Sequence, residues 1–145
     1  MSQENVEIVG RIIEERVSKR DEPAVIAKFW DPDCDYYPVR KFPDAAPRHG
    51  REECSRFMAQ FRETWVRFEN PIKQLLPVGD DRVLALTTMR AEGPGSRVMM
   101  EGDLYYCVWL RHGLVLRWED HLTLNGALYA LGLHGDTPKA AGLEE

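Results

Sequence analysis

The strongest constraint on this chain is a pair of long, largely apolar segments, Met99 to Arg111 and Leu114 to Leu122, separated only by His112-Gly113. A two-residue linker ending in glycine reads as a tight antiparallel hairpin. If Arg111 pairs with Leu114, Trp109 faces Leu116, Cys107 faces Trp118 and Tyr105 faces Asp120. Side chains alternate between the faces of a strand, so Leu116, Trp118, Asp120 and Leu122 share a face with Asp103, Tyr105, Cys107 and Trp109. An ionised carboxylate is costly on such a surface unless it is paired or hydrated. The pattern therefore reads as the wall of a small-molecule pocket with Asp120 set into it.

Composition removes several alternatives. At 145 residues, 43 % hydrophobic and 30 % charged, the chain suits one globular domain with a substantial core. A net charge of -5 argues against nucleic-acid binding, which needs a basic surface to neutralise phosphates. Cys34, Cys54 and Cys107 are too far apart in sequence for a metal or redox motif and read as buried thiols of a reduced, cytoplasmic protein. The first residues lack a basic, then apolar, leader, and no apolar run approaches the ~20 residues that span a bilayer.

Along the chain, Val6, Val9, Ile13 and Val17 form a helical stripe, with Glu4 and Glu7 near the start and Arg16, Lys19 and Arg20 near the end. A second helix is expected from Pro23, burying Val25, Ile26, Phe29 and Trp30 and stopping at Asp31-Pro32-Asp33. A short strand, Cys34 to Pro38, leads into a loop over 39–50. A third helix, Arg51 to Trp65, carries Cys54, Phe57, Met58, Phe61 and Trp65 on one face. Strands follow over Phe68 to Val78, where Pro71 and Pro77 predict an edge or a break, and over Arg82 to Glu92, before the hairpin. A last helix spans Thr123 to Leu133. Residues 1–135 form one domain and 136–145 a flexible tail. Helices grouped on one face of a strongly curved antiparallel sheet give an α+β cone with an internal pocket.

Several segments, in this order, carry a family resemblance. They are Lys19-Arg20-Asp21 after the first helix, Phe29-Trp30-Asp31-Pro32-Asp33 before the first strand and His49-Gly50-Arg51-Glu52-Glu53 opening the third helix. Trp109-Leu110-Arg111-His112-Gly113 at the hairpin and Leu131-Gly132-Leu133 at the end complete the set. Together they resemble the SnoaL-like branch of the cone-shaped fold of nuclear transport factor 2 and ketosteroid isomerase. That fold hosts cyclases, isomerases, hydrolases, dehydratases and non-catalytic binders. Tyr37 stands where the isomerases carry their catalytic base, which argues against that chemistry here. Trp118-Glu119-Asp120 is similar to the segment holding a catalytic Asp in limonene-epoxide-hydrolase-like members. Arg90-Ala91-Glu92 and Tyr36-Tyr37-Pro38 match the rest of that site poorly. In SnoaL-type cyclases an acidic residue on the late strands is the general acid/base, and Asp120 is again the matching residue.

The expected site therefore centres on Asp120, whose carboxyl should titrate high among Trp118, Trp109 and Leu122. Tyr105 and Arg90 are the expected positioning or polarising partners. Trp30, Tyr36, Asp103, Cys107, Trp109, Trp118 and Leu122 are the expected lining, set against plain core for Trp30 and Tyr105 and a solvated position for Asp103. The strand Arg82 to Glu92 has two similarly apolar faces, so its facing stays open. Arg40, Lys41, Arg48 and His49 make the loop before the third helix basic, suited either to solvent or to an anionic group at the pocket entrance. His121 should face away from Asp120, beside Glu119 and Arg117.

These residues lead to a cofactor-free enzyme of the lyase, isomerase or hydrolase type acting on a hydrophobic, oxygen-bearing molecule. The alternative is a non-catalytic ligand-binding or dimerisation module of the same fold. Leu104, Tyr106, Val108 and Leu110, with Val115, fall on the face opposite Asp120 in this register, where they would form an apolar homodimer surface.

Overall fold

The computed structural model describes residues 2–19, 22–39, 45–95 and 99–133. The expectations placed on Arg20, Asp21, Arg40, Lys41 and the tail after 133 lie outside them. In chain order the elements are α1 (Ser2–Lys19), α2 (Glu22–Phe29), β1 (Trp30–Tyr37), β2 (Arg48–His49), α3 (Gly50–Thr64), β3 (Arg67–Glu69), β4 (Ile72–Val78), β5 (Arg82–Glu92), β6 (Met99–Arg111), β7 (Leu114–His121) and α4 (Leu124–Ala130). The sheet runs β2-β1-β7-β6-β5-β3, with β4 also pairing with β5. It curls as a half-barrel around the helices of the N-terminal half. All pairs are antiparallel except β1 with β7, which run parallel. No helix among the described residues is long and apolar enough to cross a membrane.

Local chemistry accounts for most of these elements. In α1 the buried face is Asn5, Val9, Ile12, Ile13 and Arg16, a helical spacing that includes two polar residues. In α3, Cys54, Met58 and Arg62 recur every fourth residue and are buried. His112 (φ 54°) and Gly113 (φ 78°) both take the left-handed conformation that a tight hairpin of this twist requires. Pro71 breaks the strand after α3 into β3 and β4. The Asn70 side chain occupies the break, its amide donating to Thr87 Oγ1 (2.9 Å) and to the Thr88 carbonyl (2.8 Å). Backbone and hydroxyl acceptors at an interrupted ladder are thus satisfied, as buried polar groups must be.

Two differences from the sequence reading matter for the site. Trp30 does not end α2; it opens β1, which continues through Asp31-Pro32-Asp33. Trp30 is fully buried and stacks on Trp118 with ring centroids 5.5 Å apart. The second difference is one of register. Arg111 pairs with Leu114 and Leu110 with Val115, as expected, but Trp109 then pairs with Arg117. Leu116 is left as an extra residue, a β-bulge, and every later residue of β7 changes the face it shares with β6. Cys107 now lies opposite Glu119, Tyr105 opposite His121 and Tyr106 opposite Asp120.

Leu104, Tyr106, Val108, Leu110 and Val115, read as an outer strip, are instead core residues packed with the N-terminal helices. Tyr105 and Cys107 lie on the other face, beneath Ala127, Leu128 and Leu131 of α4 and its C-terminal end. β6 is thus buried on both sides, which is why its apolar residues do not alternate. The facing of β5 is resolved as well: Val83, Ala85, Met89 and Ala91 join the main core, while Leu84 packs under α4. The three cysteines are free and buried.

The stacked indoles should dominate stability. Trp30→Ala is expected to cost about 3–5 kcal/mol, whereas Val66→Ala, at a side chain 59 % exposed, should change stability by less than about 0.5 kcal/mol. Urea midpoints of the two variants against the parent measure the difference; equal small effects would show that the stack contributes little.

Candidate functional site

Asp120 lies on the inner face because of the bulge at Leu116, and Tyr36 meets it because β1 runs parallel to β7. In that pairing Tyr36 is the partner of Trp118, two residues before Asp120 and on the same face. The Tyr36 hydroxyl donates a hydrogen bond to Asp120 Oδ2. Trp118 Nε1 donates to Oδ1 at 3.1 Å. Both carboxylate oxygens therefore have a donor. Opposite Asp120, Tyr106 packs on Trp118 at 4.9 Å between centroids. Its hydroxyl donates to Asn70 Oδ1 at 2.6 Å, the same Asn70 that fills the β3–β4 break.

Arg16 reaches this group from α1. It is buried and interacts with Tyr106, Tyr36 and Asp120. These four side chains form the polar end of a void whose remaining lining is apolar: Phe57, Met58 and Phe61 of α3, Phe68, Met89 and Leu104. The void measures about 370 Å³ with its mouth included, but its interior has room for little more than one water molecule. It is a narrow slot rather than an open chamber.

Burial raises the Asp120 carboxyl to about 6, against the hydrogen bond from Tyr36, the Arg16 charge and the Trp118 N–H, which all favour the ionised form. Burial also pushes the Tyr36 phenol well up, and the Asp120 charge adds to the effect. Burial raises Tyr106 too. Near neutral pH the site thus holds two protonated phenols, whose hydrogens go to Asp120 and Asn70, together with a guanidinium and a carboxyl close to its own titration. That combination can accept a proton from carbon or oxygen and return it with little driving force wasted. Among the described residues no group of three or more His, Cys, Asp or Glu side chains is arranged to hold a metal ion.

The residues read from the sequence divide between the two faces. Asp120 and Tyr36 share the void, with Trp118 beneath the carboxylate and Trp30 behind Trp118. Tyr105 is not the neighbour of Asp120; its hydroxyl lies 3.5 Å from Asp103 on the outer side. Asp103 is exposed and pairs with Lys73 at 2.9 Å. Arg90 is exposed on the outer face of β5, near Glu92 and Glu101. Cys107 is buried against the Ala127 carbonyl. Trp109 lies outside the void, its ring 5.3 Å from the Arg117 guanidinium, and Leu122 is 37 % exposed beyond the end of β7. One slipped residue displaced Tyr105, Cys107 and Trp109 together. His121 turns away from Asp120 to Glu119, 2.9 Å distant, as expected.

Arg16, Tyr106 and Asn70 were missed. Tyr106 follows from the register. Arg16 had a legible signal: it falls on the stripe of Val9, Ile12 and Ile13, where a solvated arginine has no place.

Comparison with known proteins agrees with this architecture. The model of the SnoaL-like domain family matches residues 9–118. No curated protein matches the chain significantly. Among solved structures, Bal32a from a soil-derived mobile gene cassette superposes with a TM-score of 0.75 at 18 % identity, covering 90 % of this chain and 95 % of that one. A putative SnoaL-like polyketide cyclase from Jannaschia sp. CCS1 gives 0.72 at 19 % identity, covering 92 % and 95 %. TerC co-crystallised with polyporic acid gives 0.69 at 18 % identity, covering 88 % and 97 %. At such identities the likeness is one of fold.

The raised carboxyl makes a pH prediction. A proton is bound more tightly by folded Asp120 (about 6) than by the unfolded residue (3.8). Its contribution is therefore fully present below 3.8 and lost as pH rises through 6. Relative to the parent, Asp120→Asn should gain on the order of 2–3 kcal/mol between pH 4 and pH 7. Urea unfolding of both proteins across that range measures the gain; parallel pH profiles would place Asp120 at an ordinary carboxylate value.

Proposed function

The chain belongs to the SnoaL-like family of the cone-shaped nuclear transport factor 2 fold, and we propose that it is a cofactor-independent acid/base enzyme acting on a hydrophobic, oxygen-bearing molecule. The observation that carries this reading is Asp120 itself: a carboxyl raised to about 6 and held by Tyr36 and Trp118 at the end of an apolar slot. The family includes polyketide cyclases and isomerases, and a proton moved at carbon beside a carbonyl is a step common to both.

In the proposed reaction the Asp120 carboxylate removes a proton from a carbon next to a substrate carbonyl. The electron pair of the broken C–H bond moves into the carbonyl, leaving an enolate oxygen. Arg16 supplies positive charge to that oxygen, where it counts for more than in water. Protonated Asp120 then returns the proton, either to another carbon, giving an isomer, or to the oxygen of a second carbonyl attacked by the enolate carbon, closing a ring. Tyr36 acts through Asp120, fixing its orientation and opposing the rise in its pKa.

The narrowness of the slot favours one rival, a non-catalytic binder whose ligand wedges between α3 and the sheet. Deuterium exchange separates the two. Aromatic β-ketoesters incubated with the protein in D2O should acquire deuterium at the acidic carbon faster than in buffer. Asp120→Asn should remove about 100-fold or more of that acceleration, while the fold is retained. Tyr36→Phe should lose less, and its pH–rate profile should move to higher pH because a donor to the ionised carboxylate is gone. Equal exchange by parent and Asp120→Asn would leave only the binding role.

A further inference from the structure

A second cavity lies immediately outside the slot, against the same wall. It is a polar recess of about 670 Å³ with its open side included, lined by Pro47, Arg48, Glu53, Arg56, Phe57 and Gln60. Phe57 belongs to both spaces. Its ring is 5.6 Å from that of Tyr36, the partner of Asp120, while the Arg48 guanidinium stands 4.7 Å from its centroid. One aromatic side chain, only partly buried, therefore separates the carboxylate site from a basic vestibule.

The sizes of the two spaces bear on the ligand. The slot admits little more than a water-sized body as it stands, so a ring-bearing molecule reaching Asp120 must displace part of its apolar lining; displacing Phe57, the side chain common to both spaces, opens the slot toward the recess. What extends that way arrives between Arg48 and Arg56. Glu53, the one acidic residue of the lining among the described residues, accepts a hydrogen bond from the His49 backbone N–H at 3.0 Å. Arg56 lies 3.3 Å from Glu52, an exposed contact on the same helix that competes weakly with a better anionic partner. Among the described residues the lining carries two guanidinium groups to one carboxylate, in a protein whose net charge is -5. Guanidinium groups suit carboxylates because they donate two parallel hydrogen bonds.

Resting on the acid/base reading of Asp120, we propose that the vestibule is a carboxylate subsite. The substrate class is then an elongated aromatic carboxylic acid, its reacting end at Asp120 and its carboxylate on Arg48 and Arg56, with Phe57 as the gate between them.

Anthracene-2-carboxylate and its neutral analogue 2-(hydroxymethyl)anthracene are suitable probes, with affinity read by titration calorimetry at low salt. The parent should prefer the carboxylate, and the preference should shrink as salt screens the charges. In Arg48→Gln/Arg56→Gln the carboxylate should weaken by about tenfold, with the neutral probe unchanged. Phe57→Ala should tighten or speed the binding of both probes. An unaltered preference in the double variant, or none in the parent, would overturn the subsite while leaving Asp120 chemistry standing. Binding of neither probe by parent or Phe57→Ala would overturn both readings. Circular dichroism of the double variant checks that it is folded; if it is not, Arg56→Gln alone, on an exposed side chain, must show a partial loss of preference or the proposal fails.

Discussion

The extra residue at Leu116 determines the inner face of this protein. Two strands in uninterrupted register would carry Asp120 to the side of the sheet that α4 covers, beside Tyr105 and Cys107. With the bulge, Asp120 crosses to the side of the N-terminal helices, opposite Tyr106. β7 also joins β1, so the same register brings Tyr36 to the carboxylate and Trp118 onto Trp30. One inserted residue thus sets the hydrogen-bond partners of the acid, the aromatic floor beneath it and the faces of β6 together. Bulges near functional sites re-aim side chains in this way.

Once inside, the carboxylate is held in a balance of opposed effects. Burial alone would push it far into the protonated state. Tyr36, Trp118 and Arg16 each favour the ionised form and bring it back to about 6. Arg16 enters from the helix, Tyr36 from the first strand and Trp118 from the strand of Asp120 itself, so the balance exists only in the assembled fold. Asn70 links it to the sheet. The side chain that satisfies the β3–β4 break also fixes the Tyr106 hydroxyl at 2.6 Å, tying a strand interruption to a phenol of the site.

The middle of β6, Leu104 to Val108, is buried on both faces, and this explains why some readings held and others slipped. The hairpin turn, the three N-terminal helices and the break at Pro71 were legible because each depends on local chemistry: a glycine turn, a helical stripe, a missing N–H. The orientation of His121 toward Glu119 was legible too. Asp120 was singled out because a carboxylate among aromatic residues stands out in any register, and Tyr36 through its resemblance to the aromatic lining of the family's cavity. Tyr105, Cys107 and Trp109 were drawn into the site by the assumption of unbroken alternation, and Arg90 by a strand with two similar faces.

By itself, then, the sequence determined the element types, their order and the presence of an acid among aromatic residues on the last strand. Those features arise from propensity and periodicity over a few neighbouring residues. Only the tertiary structure decided which face that acid occupies, that Tyr36 rather than Tyr105 donates to it, and that Arg16 closes the site. Where a strand is apolar on both sides, burial energy is nearly the same for either facing, so no local pattern can choose between them. The choice falls to packing between distant segments: α1, β1 and β7 must fit around one carboxylate, and Leu116 is the residue that lets them.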